Sequence, residues 1–396
     1  MLERLLGTVC LLWITVSDWT LFDEAERSFG RRRETESAFH FLNRAGGDSW
    51  QRVRNLLDGW YAAFPDPGGD VRERFRQDED RQHAAAWWEL YVFTLFRRLD
   101  YKIEVHPSVA GSRNRPDFLV TRNSGSVYIE CTVMFSDDEL DDAEAWIFEC
   151  INSARNPDFL VDVWGVAQIG SQRPRKSEIT APIKEWLASL DADAELAQVN
   201  AGGEPPHCKF GFRDWSIALG AWPVEPDHRG EAERLIGSPP ARLEVVRDVE
   251  RMRKILSEKG SRYGQLDRPL VLALLSWDFA DERHMTNALF GSVAVTYSQH
   301  DLPSLTNRLP NGYWRRGAQP RGARLSGVLF GERLKPRRPS LSLPRLWVNP
   351  WATMPIGELA PFAMFTAEDN GNIVSREATM TPEDVFDLPP NWPEKS

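Results

Sequence analysis

Residues Arg115–Val133 read RPDFLVTRNSGSVYIECTV, and the parsing of this stretch decides the fold. Pro116 and Asp117 open a short apolar run, Phe118 to Val120. Asn123 and Gly125 with their serine neighbours mark a turn, and Val127 to Val133 reads as a second strand. Alternate side chains of a strand share a face, so Glu130 and Thr132 point one way and Cys131 the other. A carboxylate among apolar strand neighbours requires a partner or a metal, because burying it alone is costly. Asp117 and Glu130, on adjoining strands, are the oxygen donors that a hard cation such as Mg²⁺ takes.

A third acid precedes them. In AAWWELYVFTLFRRLDY the apolar residues Ala85, Trp88, Val92 and Phe96 recur at helical spacing, and Glu89 lies in or beside that stripe. The expected order is a helix with Glu89, a strand near Lys102 to His106, a strand from Asp117, a strand ending at Glu130 to Thr132, and another helix. In this order and these acids the chain resembles the PD-(D/E)XK nuclease superfamily, the restriction-endonuclease-like proteins, over roughly residues 80 to 170. The resemblance implies an α/β fold with a mixed sheet flanked by helices, and metal-dependent cleavage of phosphodiester bonds. Asp117 matches the motif's aspartate, Glu130 its second acid, and Glu89 the acid of the preceding helix; the Cys131 backbone carbonyl is implied as a further ligand to Mg²⁺ or Mn²⁺. Thr132 departs from the motif, which has lysine there. A hydroxyl orients a water but brings no positive charge to the phosphoryl group. Lys176 and Lys184 are the candidates for supplying that charge from another element.

The chain has 396 residues, enough for one large or two compact domains. Expected are an N-terminal helical extension over 1–80, a nuclease-like core over 81–191, and a C-terminal α+β region over 207–396, either separate from the core or continuous with it. Residues 192–206 read as an interdomain loop, 20–45 as helical in character, and the last forty as mostly turns. Pro269 to Leu275 is almost purely apolar, the pattern of a central strand buried on both faces. Before it, Val245 to Tyr263 reads as a long charged helix with Met252, Ile255 and Leu256, and with Lys254 and Lys259.

A net charge of -10 excludes a general polycation, though an acidic enzyme binds nucleic acid through a local patch. Between Tyr313 and Arg338 there are eight basic residues against the single acid Glu332; Arg315, Arg316, Arg321 and Arg324 are its candidate contacts to DNA phosphates. Cysteines 10, 131, 150 and 208 show no paired ligand spacing, which argues for a reducing, cytoplasmic setting and against structural zinc. The apolar Val9 to Val16 is too short to span a membrane and is expected as a buried leader rather than a signal peptide. The acids of 137–142 read as helix capping. Two other readings stand beside the nuclease: a catalytically inactive nuclease-fold module that binds nucleic acid or a protein partner, and an enzyme of another class in which Glu130 pairs with Arg113 or Arg115.

Overall fold

The computed structural model describes residues 19–394, apart from 34, 124, 136–137, 169–171, 233, 239–244, 278–279, 296–305, 317–318, 358, 360 and 369–371. In chain order it begins with α1 (Ala38–Arg44), α2 (Asp48–Tyr61), α3 (Asp70–Phe75), α4 (Asp80–Arg98), β1 (Lys102–Val105), β2 (Phe118–Arg122) and β3 (Gly125–Met134). Then come α5 (Asp138–Ser153), β4 (Phe159–Gln168), α6 (Lys176–Ala188), α7 (Ala192–Asn200), β5 (His207–Phe212), β6 (Trp215–Pro223) and β7 (Ile236–Ser238). The chain continues through α8 (Val245–Gly260), β8 (Leu270–Ser276), α9 (Glu282–Phe290), β9 (Val293–Val295), β10 (Thr306–Arg308), β11 (Arg315–Arg316) and β12 (Gln319–Pro320). It closes with β13 (Gly327–Glu332), β14 (Arg345–Val348), β15 (Met364–Ala367), β16 (Ile373–Arg376) and α10 (Pro382–Phe386).

The chain divides into two compact units. One holds residues up to 30, 37–136 and 245–396; the other holds 31–36 and 137–244. This departs from the boundaries expected at 81–191 and 207–396, because residues 137–191 cluster with 192–244. Nor is 192–206 a plain loop: Asp191 caps α7 by accepting from the amides of Asp193 and Ala194 at 3.1 Å each.

In the first unit eight strands form one mixed sheet in the order β1-β2-β3-β8-β13-β14-β15-β16. The three strands β1 to β3 are antiparallel neighbours, whereas β3, β8 and β13 run parallel. A parallel pair requires a crossover, and the one from β3 to β8 contains residues 137–244 and α8. Every residue of β8 is buried, as its apolar run predicts. Side chains alternate between two cores. Ile129, Cys131, Val271 and Ala273 pack with residues of α2, α3 and α4; Tyr128, Leu272, Leu274 and Phe330 pack with residues of α8 and α9.

In the second unit β5, β6, β4 and β7 form a sheet, in that order, with a core that includes Ile147, Ile151, Ile179 and Ile183 of α5 and α6.

Two expectations are corrected here. Among the described residues the stretch 20–45 is helical only over α1; Leu21 and Asp23 instead donate their amides to the side chains of Asp58 at 2.7 Å and Asn43 at 3.1 Å. The last forty residues add β15, β16 and α10, and bury Val385, Phe386 and Trp392. Val9 to Val16, Asp137 and the side chains of 138–142 lie outside the described residues. Among the described residues no helix is long and apolar enough to cross a membrane.

Candidate active site

Asp117 stands just before β2. Its carbonyl accepts the His106 amide at 2.9 Å, which continues the ladder one step beyond the Val105–Phe118 pair. The register of Phe118 with Ile129 places Asp117 beside Glu130, and Asp117 Oδ2 accepts the Cys131 amide at 2.6 Å. Asp117 is half-buried. Burial pushes its carboxyl up to about 8, and the charges of Glu89 and Glu130 add to this; the Cys131 amide and Lys259 pull the other way.

Glu130 is 3% exposed and faces α8, as the alternation of β3 requires. Its Oε1 accepts from Lys259 Nζ at 2.8 Å and from Arg262 Nη1 at 3.0 Å, and its Oε2 accepts from the Tyr263 hydroxyl. Lys259 is in the last turn of α8, where a cation also meets the negative end of the helix dipole; Arg262 and Tyr263 follow in the turn. Burial and Glu130 raise the Tyr263 hydroxyl above its ordinary range, so it remains a donor.

The sequence reading missed this trio. Met252, Leu256, Lys259 and Tyr263 share one helical stripe, whereas Lys254 is exposed on another. A lysine in line with buried apolar residues was the available signal. Arg113 and Arg115 do not pair with Glu130, and Lys176 and Lys184 are exposed on the second unit.

Glu89, 12% exposed on its side chain, is gripped by Arg74 in a two-pronged fork with both bonds at 2.8 Å. Burial lowers the Arg74 guanidinium, but Glu89 and then Asp70 outweigh it and hold the group firmly charged. Thr132 shares Glu130's face and is half-buried. The Cys131 thiol packs in the α4-side core, where burial and the nearby acids raise it well above the thiol range, so it is no thiolate ligand. The role implied for Cys131 concerns its carbonyl alone.

Asp117 offers a carboxylate oxygen of the kind a hard divalent cation takes, and its raised proton affinity comes first from burial and then from the charges of Glu89 and Glu130. Glu130 already accepts three hydrogen bonds, two at Oε1 and one at Oε2, which leaves it one further acceptor site. Among the described residues no group of three or more His, Cys, Asp or Glu side chains is arranged to hold a metal ion.

Of the four arginines expected at DNA, Arg321 and Arg324 line a cavity against α8. Arg315 is half-buried on β11, and the Arg316 side chain lies outside the described residues. No protein-family profile, curated protein or solved structure matches the chain.

Proposed function

We propose that the chain is a restriction-endonuclease-like hydrolase of DNA phosphodiester bonds that works with Mg²⁺ or Mn²⁺. What supports this most is Lys259. Its ammonium, brought by α8, stands 2.8 Å from the second acid and supplies the charge that Thr132 lacks. The element order supports it too: a helix with an acid, three antiparallel strands and, beyond the intervening residues 137–244, helix α8 leading to a strand parallel to the third.

Asp117 and Glu130 would hold the cation, which would supply Lewis acidity toward the phosphoryl group and acidify a water. Lys259 and Arg262 place positive charge where the phosphoryl oxygens gain negative charge, and Thr132 orients a water from the same face. Arg74 holds the Glu89 carboxylate in place with its two-pronged fork.

The same contacts favour a second reading. Glu89 and Glu130 are already neutralised by cations of the chain, as suits a catalytically inactive module that binds nucleic acid or a protein partner. Cleavage of plasmid and single-stranded DNA with Mg²⁺, Mn²⁺ or EDTA separates the two. Metal-dependent cleavage lost in Asp117→Ala and Glu130→Ala supports the nuclease. A folded wild type that binds DNA without cleaving it supports the module.

A further inference from the structure

Helix α8 carries two working faces. Met252, Leu256 and Lys259 turn toward the sheet and Glu130; the adjoining face, with Arg253 and Gly260, lines an open cavity of about 880 Å³ that Tyr313, Arg321 and Arg324 border. That volume suits a small-molecule site, which typically spans about 300–1,000 Å³.

The wall is built around Tyr313. A Cβ on Gly260 would lie 2.2 Å from the Tyr313 hydroxyl, and one on Gly322 would lie 2.6 Å from its Cε1, so the ring occupies space that only glycine leaves. Arg253 is fixed by neutral acceptors. The two hydrogens of its Nη2 are shared among the Asn287 carbonyl at 3.0 Å, Ser292 Oγ at 3.0 Å and Asn311 Oδ1 at 3.1 Å. Its Nε is buried and has no hydrogen-bond partner, which is uncommon for a buried donor. Arg321 and Arg324 are exposed, and among the described residues neither pairs with a carboxylate. Glu250 is the one acid among the lining residues, leaving three guanidinium groups with an excess of two positive charges.

We propose that this cavity binds the phosphomonoester of a nucleotide. Such a group carries about -1.5 to -2 charges at pH 7 and three acceptor oxygens, which matches the excess and the exposed guanidinium donors of Arg321 and Arg324. The volume leaves room for the nucleoside beside Tyr313 and Ala323. The source is either a free nucleoside monophosphate or the phosphorylated end of a strand. This site does not depend on the cleavage reading, because a chain inert in cleavage still offers these arginines.

The test uses the full chain in EDTA, in both wild-type and Asp117→Ala backgrounds. Binding is measured for short oligonucleotides with a 5′-phosphate, a 3′-phosphate or neither, and for deoxynucleoside monophosphates against the free nucleosides. Phosphorylated ligands are expected to bind about tenfold or more tighter than their unphosphorylated counterparts, the scale of one or two charge-assisted hydrogen bonds. That preference should largely vanish in Arg321→Ala/Arg324→Ala with its melting temperature unchanged, and persist in Arg315→Ala. Should the double variant fold poorly, Arg324→Gln serves in its place. A preference seen with monophosphates assigns the free nucleotide; one seen only with oligonucleotides assigns the strand end. Equal affinity with and without phosphate, or a preference untouched by the arginine substitutions, overturns the proposal.

Discussion

Glu130 draws a lysine, an arginine and a tyrosine onto one carboxylate, while Asp117 nearby receives a single amide among the described residues. That asymmetry has a pH consequence. Folded Asp117 keeps its proton up to about 8, against an ordinary carboxyl value of 3.8. Between those values the folded chain binds a proton that the unfolded chain has lost, so stability falls as pH rises through this window. Melting curves in EDTA from pH 5 to 8 should therefore drop more steeply for the wild type than for Asp117→Asn. Parallel curves would remove Asp117 as the titrating group. Mg²⁺ must displace that proton at low pH, so it should raise the wild-type melting temperature more at pH 8 than at pH 5 and leave Asp117→Asn almost unmoved. A shift independent of pH would place the ion elsewhere. The acids were legible in the sequence because a strand alternates and a buried carboxylate stands out. Their cation was not, since Lys259 lies 129 residues beyond Glu130.

Helix α4 shows where periodicity falls short. One apolar stripe was legible, but the helix is buried almost all round, from His83 through Phe96, because other helices cover the side away from the sheet. Trp60 of α2 stacks on Trp87 at 6.0 Å, and Phe386 of α10 lies 5.3 Å from Tyr91. Toward the sheet, Trp88 donates its indole N–H to the Ala273 carbonyl at 2.8 Å and fills space that a Cβ on Gly331 would enter at 2.7 Å. Trp88→Ala should cost about 3–5 kcal/mol in urea unfolding, through lost burial and the cavity left behind. A cost below about 1 kcal/mol would mean that the neighbouring aromatics collapse into the space. The strands β15 and β16 were missed because each is four residues long and β16 is mostly exposed, so neither shows a strong alternating pattern.

The two units carry separate hydrophobic cores, with residues 137–244 entering the chain between β3 and α8. An apolar central strand made the continuation of the sheet legible at β8. The boundaries were not, because 137–191 alternates helix and strand just as a continuing core would. Two calorimetric transitions are expected, with Trp88→Ala lowering only the one that belongs to the eight-stranded unit; a single transition shifting as a whole would show one cooperative body. The proposed function depends on the pieces that this long crossover brings together: Asp117 and Glu130 from before residue 136, Lys259 from after 245. The most direct test is DNA cleavage with Mg²⁺ by the wild type beside Lys259→Ala and Lys259→Ala/Thr132→Lys, with folding verified for each. Cleavage lost in the first variant and partly restored in the second, where a lysine returns to the face of Glu130, is the predicted result. Wild-type cleavage that survives Lys259→Ala unchanged would contradict it.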